Sequence, residues 1–257
     1  MQRIDQILST SKHHFISIGK SLLNALFPRY CCVCGKRLLL GERDVCITCM
    51  MNLPYTRLNG KKGNVLERLF WNPDYRVERA DSLLYYHNKA LSCNIYFEFK
   101  YHHHPDVAVH FGQIMAQNLK RTDFFDGIDC IVPIPLAPQR LKKRGYNQSE
   151  RLAHGISLET NIPVDTTSVV RIANNVTQTH LTAEDRAQNV SNIFALSDKQ
   201  TLEGKHILII DDVITTGSTI KSCAKVIAQL PNVKFSVMSL GLSVRNKKHK
   251  IITWERK

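Results

Sequence analysis

Apolar residues change their period along this 257-residue chain. In residues 1–27, Ile4, Ile7 and Leu8, then Ile18, Leu22 and Leu26, recur at helical spacing. They predict one or two amphipathic helices that cap the main domain. Within them Ile18-Gly19-Lys20-Ser21 has the end of a phosphate-binding P-loop, but that pattern needs glycine five places before Gly19, where His14 stands, and no strand precedes it. From about residue 80 short apolar runs alternate with longer amphipathic ones. The pattern predicts strands at 83–86, 128–133, 164–171 and 206–211, with one or two more in 234–244. It predicts helices at 110–120 (Phe111, Ile114, Met115 and Leu119 on one face), from 149–155 onward, and at 217–230, where Pro231 stops the run. Strands separated by helices imply an α/β fold with a mostly parallel sheet flanked by helices and right-handed crossovers. No internal repeat or low-complexity tract interrupts this order.

The length suits one α/β domain plus a small appended module, and 43% hydrophobic residues are enough to build a packed core, which excludes wholesale disorder. Lys and Arg number 35 against 22 acids, a formal charge of +13. Such a balance fits an anionic partner, either a phosphorylated small molecule or nucleic acid, although a merely basic solvated surface reads the same way. The longest uncharged apolar stretch, near 130–138, is too short to span a bilayer and contains proline, so no membrane span is expected. Asp5, Ser9, Ser11 and Lys12 break any signal-like apolar region, and the expected location is cytoplasmic.

Eight cysteines in a chain expected in a reducing compartment argue for metal or free thiols rather than disulfides. Cys31, Cys34, Cys46 and Cys49 form two Cys-x-x-Cys pairs separated by eleven residues, inside a module bounded by Pro28 and Pro54. Each pair closes a tight knuckle that points two thiolates at one ion, and two knuckles complete the tetrahedral sulfur shell that Zn²⁺ accepts. A redox pair or free thiols are the alternatives. With all four positions filled no water site is left, so the zinc is expected to be structural. A segment this short needs the metal to fold. Cys32 competes with Cys31, but the spacing selects Cys31. Cys93, Cys130 and Cys223 lie in apolar surroundings and read as core residues. The expected organisation is thus an N-terminal helix at 1–27, a zinc module at 28–55 and a main domain at 56–257.

The most informative run is Ile207-Leu208-Ile209-Ile210-Asp211-Asp212-Val213-Ile214-Thr215-Thr216-Gly217-Ser218-Thr219. A buried strand ends in two acids, where open α/β sheets place ligands. A short polar loop then opens a helix whose N-terminal N–H groups and dipole favour an anion. Thr215, Thr216, Ser218 and Thr219 add hydroxyl donors, and Gly217 lets the chain wrap closely. Two adjacent carboxylates would repel a bare polyanion. They suit a sugar phosphate, with the 5′-phosphate on the loop and the ribose diol, with Mg²⁺, on the acids. This run resembles the motif of type I phosphoribosyltransferases that binds 5-phosphoribosyl pyrophosphate (PRPP). After the second strand, Arg140, Lys142, Lys143 and Arg144 gather beside Gly145, with Arg151 one helical turn on. The type I fold has its pyrophosphate loop at this place; Lys142 and Lys143 also suit a solvated loop, and Arg144-Gly145 is the part assigned to the ligand. The polar segment 171–194 stands where type I enzymes carry the loop that closes over the site.

Several features together resemble the ComF family of competence-related proteins: the four cysteines, Val132-Pro133-Ile134-Pro135-Leu136, Arg144-Gly145-Tyr146-Asn147-Gln148, Gln178-x-x-Leu181, Arg186-x-x-Asn189 and the run above. Phe99-Lys100-Tyr101 matches that family's lysine-containing segment, but His102-His103-His104 follow where the family has Arg or Gly; they read as a solvated turn before Pro105. The resemblance implies a cytoplasmic role in natural transformation or use of imported DNA, with PRPP or a related phosphorylated sugar as ligand. In a transferase, Asp211 and Asp212 would hold the ribose, residues 215–219 the 5′-phosphate and Arg144 with Gly145 the pyrophosphate. Arg186 would arrive with the closing loop, making Arg144 and Arg186 the catalytic candidates. The alternative is a non-catalytic accessory protein that binds PRPP or single-stranded DNA, alongside proteins of the competence machinery. No acceptor pocket and no general base is legible.

Overall fold

The computed structural model of the chain describes residues 27–87, 90–101, 104–172 and 193–243. Residues 1–26 of the expected N-terminal helix, His102 and His103, and Gln178, Leu181, Arg186 and Asn189 of the expected closing loop lie outside the described residues. The strands are β1 (Val77–Tyr86), β2 (Cys130–Pro133), β3 (Val169–Arg171), β4 (Phe194–Leu196), β5 (His206–Ile214) and β6 (Lys234–Ser243). The helices are α1 (Ile47–Met51), α2 (Val65–Phe70), α3 (Cys93–Tyr101), α4 (Pro105–Leu119), α5 (Pro138–Arg144), α6 (Gln148–Thr160) and α7 (Ser218–Ile227).

Four strands form one parallel sheet in the order β1-β6-β5-β2. The sheet is covered on both sides, which explains why β5 reads as a continuous apolar run rather than an alternation. Leu208 and Ile210 point into a core shared with α3, α4 and α6. Ile207 and Ile209 point into the opposite core, with α2 and α7. α4 and α6 cross closely because both are glycine at the crossing: a Cβ on Gly112 would lie 2.2 Å from the Leu152 carbonyl oxygen, and one on Gly155 2.0 Å from that of Val109.

Three elements differ from expectation. β1 begins at Val77, six residues before the expected strand, because Arg79 and Asp81 are buried with partners: Arg79 pairs with Asp123 at 2.9 Å and donates to the Gly60 carbonyl, leaving only its Nε unpartnered among the described residues, while the Gly60 amide donates to Asp81 at 2.5 Å. Residues 164–171 are not one strand. Val164 bridges Ile131 in parallel, and the Asp165 carboxylate then accepts from the amides of Thr167 and Ser168, an Asx-type turn that redirects the chain. Val169–Arg171 pairs antiparallel with Phe194–Leu196, away from the main sheet. Finally α4 starts at Pro105, with proline in the first turn, where its missing N–H costs nothing.

Candidate functional site

β2 and β5 run side by side, with Pro133 opposite Ile210, and β5 continues four residues further to Ile214. Asp211 and Asp212 therefore stand at the carboxyl end of the sheet, beside the segment leaving β2. That segment is fastened to the sheet, since the Ile134 amide donates to the Ile210 carbonyl at 2.9 Å. The buried Asn147 links it to α6: its side-chain amide donates to the Ile134 carbonyl at 3.0 Å, and its oxygen accepts from the Ser149 amide at 3.1 Å. As N-cap of α6, Asn147 aims the helix at the acids. Ser149 on the first turn of α6 donates its hydroxyl to Asp211 Oδ1 at 3.3 Å, and that same oxygen accepts the Asp212 amide at 2.8 Å. Burial, and then the Asp212 charge, raise the Asp211 carboxyl above the ordinary carboxylate range.

After Ile214, Thr215 and Thr216 are exposed and Gly217 turns the chain at φ 73 into α7. A Cβ here would lie 2.8 Å from the Phe70 ring, so two requirements, left-handed backbone and close packing of α2, both select glycine. Gly217, the N-cap of α7, has no side chain to cap it; the Ser218 amide donates to Thr216 Oγ1 at a long 3.4 Å, and the Ser218 and Thr216 hydroxyls lie 3.0 Å apart at the helix mouth. Free amides, a helix dipole and clustered hydroxyls make this end of the sheet suited to an anion.

The cationic segment is not a loop but the helix α5, closed by Gly145 in left-handed conformation. None of its residues is buried, so it left no apolar period to read. Arg140, Lys142 and Lys143 are exposed. Arg144 is half-buried, with Nη1 2.8 Å from Gln148 Oε1 and its guanidinium 5.5 Å above the Tyr101 ring. Arg151 lies over the Tyr146 ring at 5.9 Å. Arg186 lies outside the described residues, so only Arg144 of the two catalytic candidates has a position here.

Residues not assigned to the site in the sequence complete it. The Lys100 ammonium, at the end of α3, lies 2.5 Å from Asp212 Oδ2, and both side chains are about four-fifths buried (20% and 18% exposed). Tyr146 donates its hydroxyl to the Phe99 carbonyl, which ties α3 to the segment after Arg144. Arg171 closes β3 over the Phe194 ring at 5.5 Å; burial and then neighbouring Arg140 lower its pKa, and Asp211 opposes them. The available signal was the Phe99-Lys100-Tyr101 match, whose helix went unread.

In the cysteine module, one donor atom from each of Cys31, Cys34, Cys46 and Cys49 lies within 4.8 Å of all the others. Cys34 and Cys46 sulfurs are 3.8 Å apart, and a tetrahedral ion with metal–sulfur bonds of about 2.3 Å sets sulfurs about 3.8 Å apart. The Cys46 amide donates to Cys31 Sγ at 3.3 Å and the Cys49 amide to Cys46 Sγ at 3.5 Å. The cluster fits a metal ion. Cys32 is not part of it, and Cys93, Cys130 and Cys223 are buried in the core. The module docks on α3 and α4: Asn94 donates to the Val33 carbonyl at 3.0 Å, and His110 lies 2.7 Å from Asp44.

The phosphoribosyl transferase domain family matches residues 101–248. The chain belongs to that family. Competence protein F of Haemophilus influenzae is 34% identical over 129 residues, covering 50% of this chain and 56% of that protein. The DNA utilization protein YhgH of Escherichia coli K12 is 28% identical over 217 residues, covering 78% of this chain and 91% of that protein. Competence protein ComFC of Bacillus subtilis is 32% identical over 95 residues, covering 37% of this chain and 36% of that protein. Matches to the first and third of these thus span between one and two thirds of the relatives' lengths. Family, relatives and four-cysteine cluster together define a ComF-like, type I phosphoribosyltransferase-like protein. No helix among the described residues is long and apolar enough to cross a membrane.

Proposed function

We propose that the chain binds PRPP at the carboxyl end of β5 and uses it in the handling of imported DNA, in the cytoplasm. The observation that carries this reading is the juxtaposition of Asp211 and Asp212 with the glycine-led N-terminus of α7, which among the described residues only the Thr216 hydroxyl touches, at 3.4 Å. Acids for a ribose diol and amides for a phosphate then lie one short loop apart. Thr215, Thr216, Ser218 and Thr219 line the phosphate end, and Arg144 with Gly145 takes the pyrophosphate. Mg²⁺ would neutralise charge between the acids and the pyrophosphate. Zinc on Cys31, Cys34, Cys46 and Cys49 is a stability element of the 28–55 module. In the transferase reading Arg144 and Arg186 stabilise negative charge on the departing pyrophosphate, and the protein's contribution is positioning and electrostatics.

A specific surface feature favours a second reading, in which single-stranded DNA is bound without transfer. A groove of about 800 Å³ between the module and α3 carries the exposed rings of Tyr30 and Phe97 together with Arg29 and Arg43, and against it stand Asp44, Glu98 and Asp106 in the same lining, Asp44 3.8 Å from Arg43. Bases stack on such rings while cations follow the backbone. Calorimetric titration with PRPP, with and without Mg²⁺, tests the first reading. A scan for pyrophosphate release with candidate acceptors and with single-stranded DNA then separates the two. Absence of PRPP binding overturns the first reading; binding without release under any acceptor favours the second.

A further inference from the structure

Lys100 sits where it competes with any ligand of Asp212. Its ammonium lies 2.5 Å from Asp212 Oδ2, and the two side chains are mostly shielded from water. A sugar diol or a cation that takes Asp212 must displace that ammonium. A displaced lysine in a mostly dry pocket needs a new anion at once, because an unpaired buried charge is strongly unfavourable. Asp211 is within electrostatic reach of the ammonium but is already engaged by Ser149 and the Asp212 amide, so the ligand has to supply it.

Geometry decides which anion. Lys100 is followed by Tyr101, whose ring lies 5.5 Å under the Arg144 guanidinium. The preceding carbonyl, of Phe99, accepts the Tyr146 hydroxyl. On both sides, then, Lys100 is bound to the segment that carries Arg144 and not to the 215–219 loop. The Tyr96 ring, with its centroid 5.8 Å from the ammonium, forms the apolar wall behind it. The Tyr96 hydroxyl has no hydrogen-bond partner among the described residues, but a neutral phenol can offer a displaced ammonium only an oxygen and no negative charge.

The geometry points to Lys100 as a binding residue for the pyrophosphate end of the ligand, held on Asp212 until the ligand arrives and then exchanged from carboxylate to phosphate. This deepens the PRPP reading and rests on it. The exchange keeps the charge of the site balanced in both states. Empty, the ammonium offsets one of two adjacent acids. Filled, the ribose with its cation takes over that role, and the ammonium joins Arg144 against the new negative charge. It also gives the site a means of preferring PRPP over ribose 5-phosphate, which would displace Lys100 without offering it a pyrophosphate.

The test compares PRPP with ribose 5-phosphate, both with Mg²⁺, by calorimetry on the zinc-loaded full chain. Lys100→Met is expected to weaken PRPP about tenfold to a hundredfold, and to leave ribose 5-phosphate unchanged or slightly tighter. Lys100→Arg should recover part of the PRPP affinity. Equal weakening of both ligands would mean that Lys100 only props Asp212, and overturns the inference; so does no change for either. A parent protein that binds neither ligand overturns the underlying reading and this inference with it. Because Lys100→Met leaves Asp212 unpaired and folding could suffer, a second comparison uses Asp212→Asn alone against Asp212→Asn with Lys100→Met. A lysine that serves only its ion pair has nothing left to lose once Asp212 is neutral, so equal PRPP affinities reject the inference. A further loss of at least about fivefold in the double variant supports it.

Discussion

The cysteine cluster and the proposed anion site are built in opposite ways. The cluster draws four donors from a single short stretch, residues 31–49, and two knuckles suffice to bring the sulfurs together. The proposed anion site would take Asp211 and Asp212 from β5, Ser149 from α6, Arg144 from the end of α5 and Lys100 from the end of α3. A local site can be read residue by residue from spacing. A convergent one shows in the sequence only its contiguous part, the β5–α7 run, and the rest depends on which helix ends the sheet brings together. The two are nevertheless mechanically joined. Cys31, Val33, Leu38 and Val45 share one core with Ile95, Tyr96 and Phe99 of α3, the helix that ends in Lys100.

The largest expected effect breaks the local site and asks whether the distant one follows. Structural zinc in small modules is worth about 10–16 kcal/mol in isolated peptides, so Cys46→Ser should lose the metal and much of the thermal stability. PRPP affinity should fall as well, because α3 loses the surface it packs on. Cys32→Ser, outside the cluster, should retain one zinc per chain. Elemental analysis with thermal unfolding checks both. Full zinc in Cys46→Ser removes the assignment. Zinc loss with unchanged PRPP affinity would show that the two regions are independent.

The second prediction addresses the convergent site directly. Asp211→Asn and Asp212→Asn should each weaken PRPP by about tenfold to a hundredfold, since hydrogen bonds to charged groups are worth about 1.5–3 kcal/mol. Their thermal midpoints without ligand should change far less than that of Cys46→Ser. Two variants that bind like the parent would remove the PRPP assignment from β5.

What was legible follows the same division. The parallel sheet, β5, α7 and the four cysteines were all read from period and spacing, because each is continuous in the chain. The first half of β1 was not, since Arg79 and Asp81 look like surface residues until Asp123 and the Gly60 backbone are seen to pair with them. α5 buries nothing, so only Pro138 and Gly145 marked its ends. α3 mixes Tyr96, Phe97, Phe99 and Tyr101 among its nine residues, and aromatic runs favour strands as much as helices. Its lysine could not be assigned to Asp212 without the fold, because 112 positions separate Lys100 from Asp212 in the chain.

A smaller effect is expected where α2 meets the phosphate loop. Gly217→Ala adds a methyl 2.8 Å from the Phe70 ring and requires a left-handed backbone, which costs an L-residue about 1–2 kcal/mol. PRPP affinity should fall severalfold. Phe70→Leu in the same chain should relieve the contact but not the backbone strain, so only part of the affinity should return. Complete recovery would mean that packing alone selects glycine here.

The last effect is a pH dependence confined to the β5 acids. Burial, followed by the charge of Asp212, raises the Asp211 carboxyl above its ordinary value. The folded protein then holds this proton more tightly than the unfolded chain does. Stability from Asp211 is fully present below the ordinary carboxylate pKa of about 3.9. It falls as pH rises from there through the raised value, where the folded state gives up a proton it favours. Asp211→Asn has no proton to surrender, so relative to the parent its thermal midpoint should rise with pH across that window and level off above it. Parallel thermal scans of parent and variant, without ligand, supply the measurement. A difference that stays flat would mean that Lys100 and Ser149 offset the burial of Asp211 completely, and one that shrinks with pH would mean that the carboxylate is favoured by the fold. In either case the buried Asp211 would hold its proton no more tightly than the unfolded chain does, and the neighbouring Lys100 and Ser149 would be what keeps its charge stable in the fold.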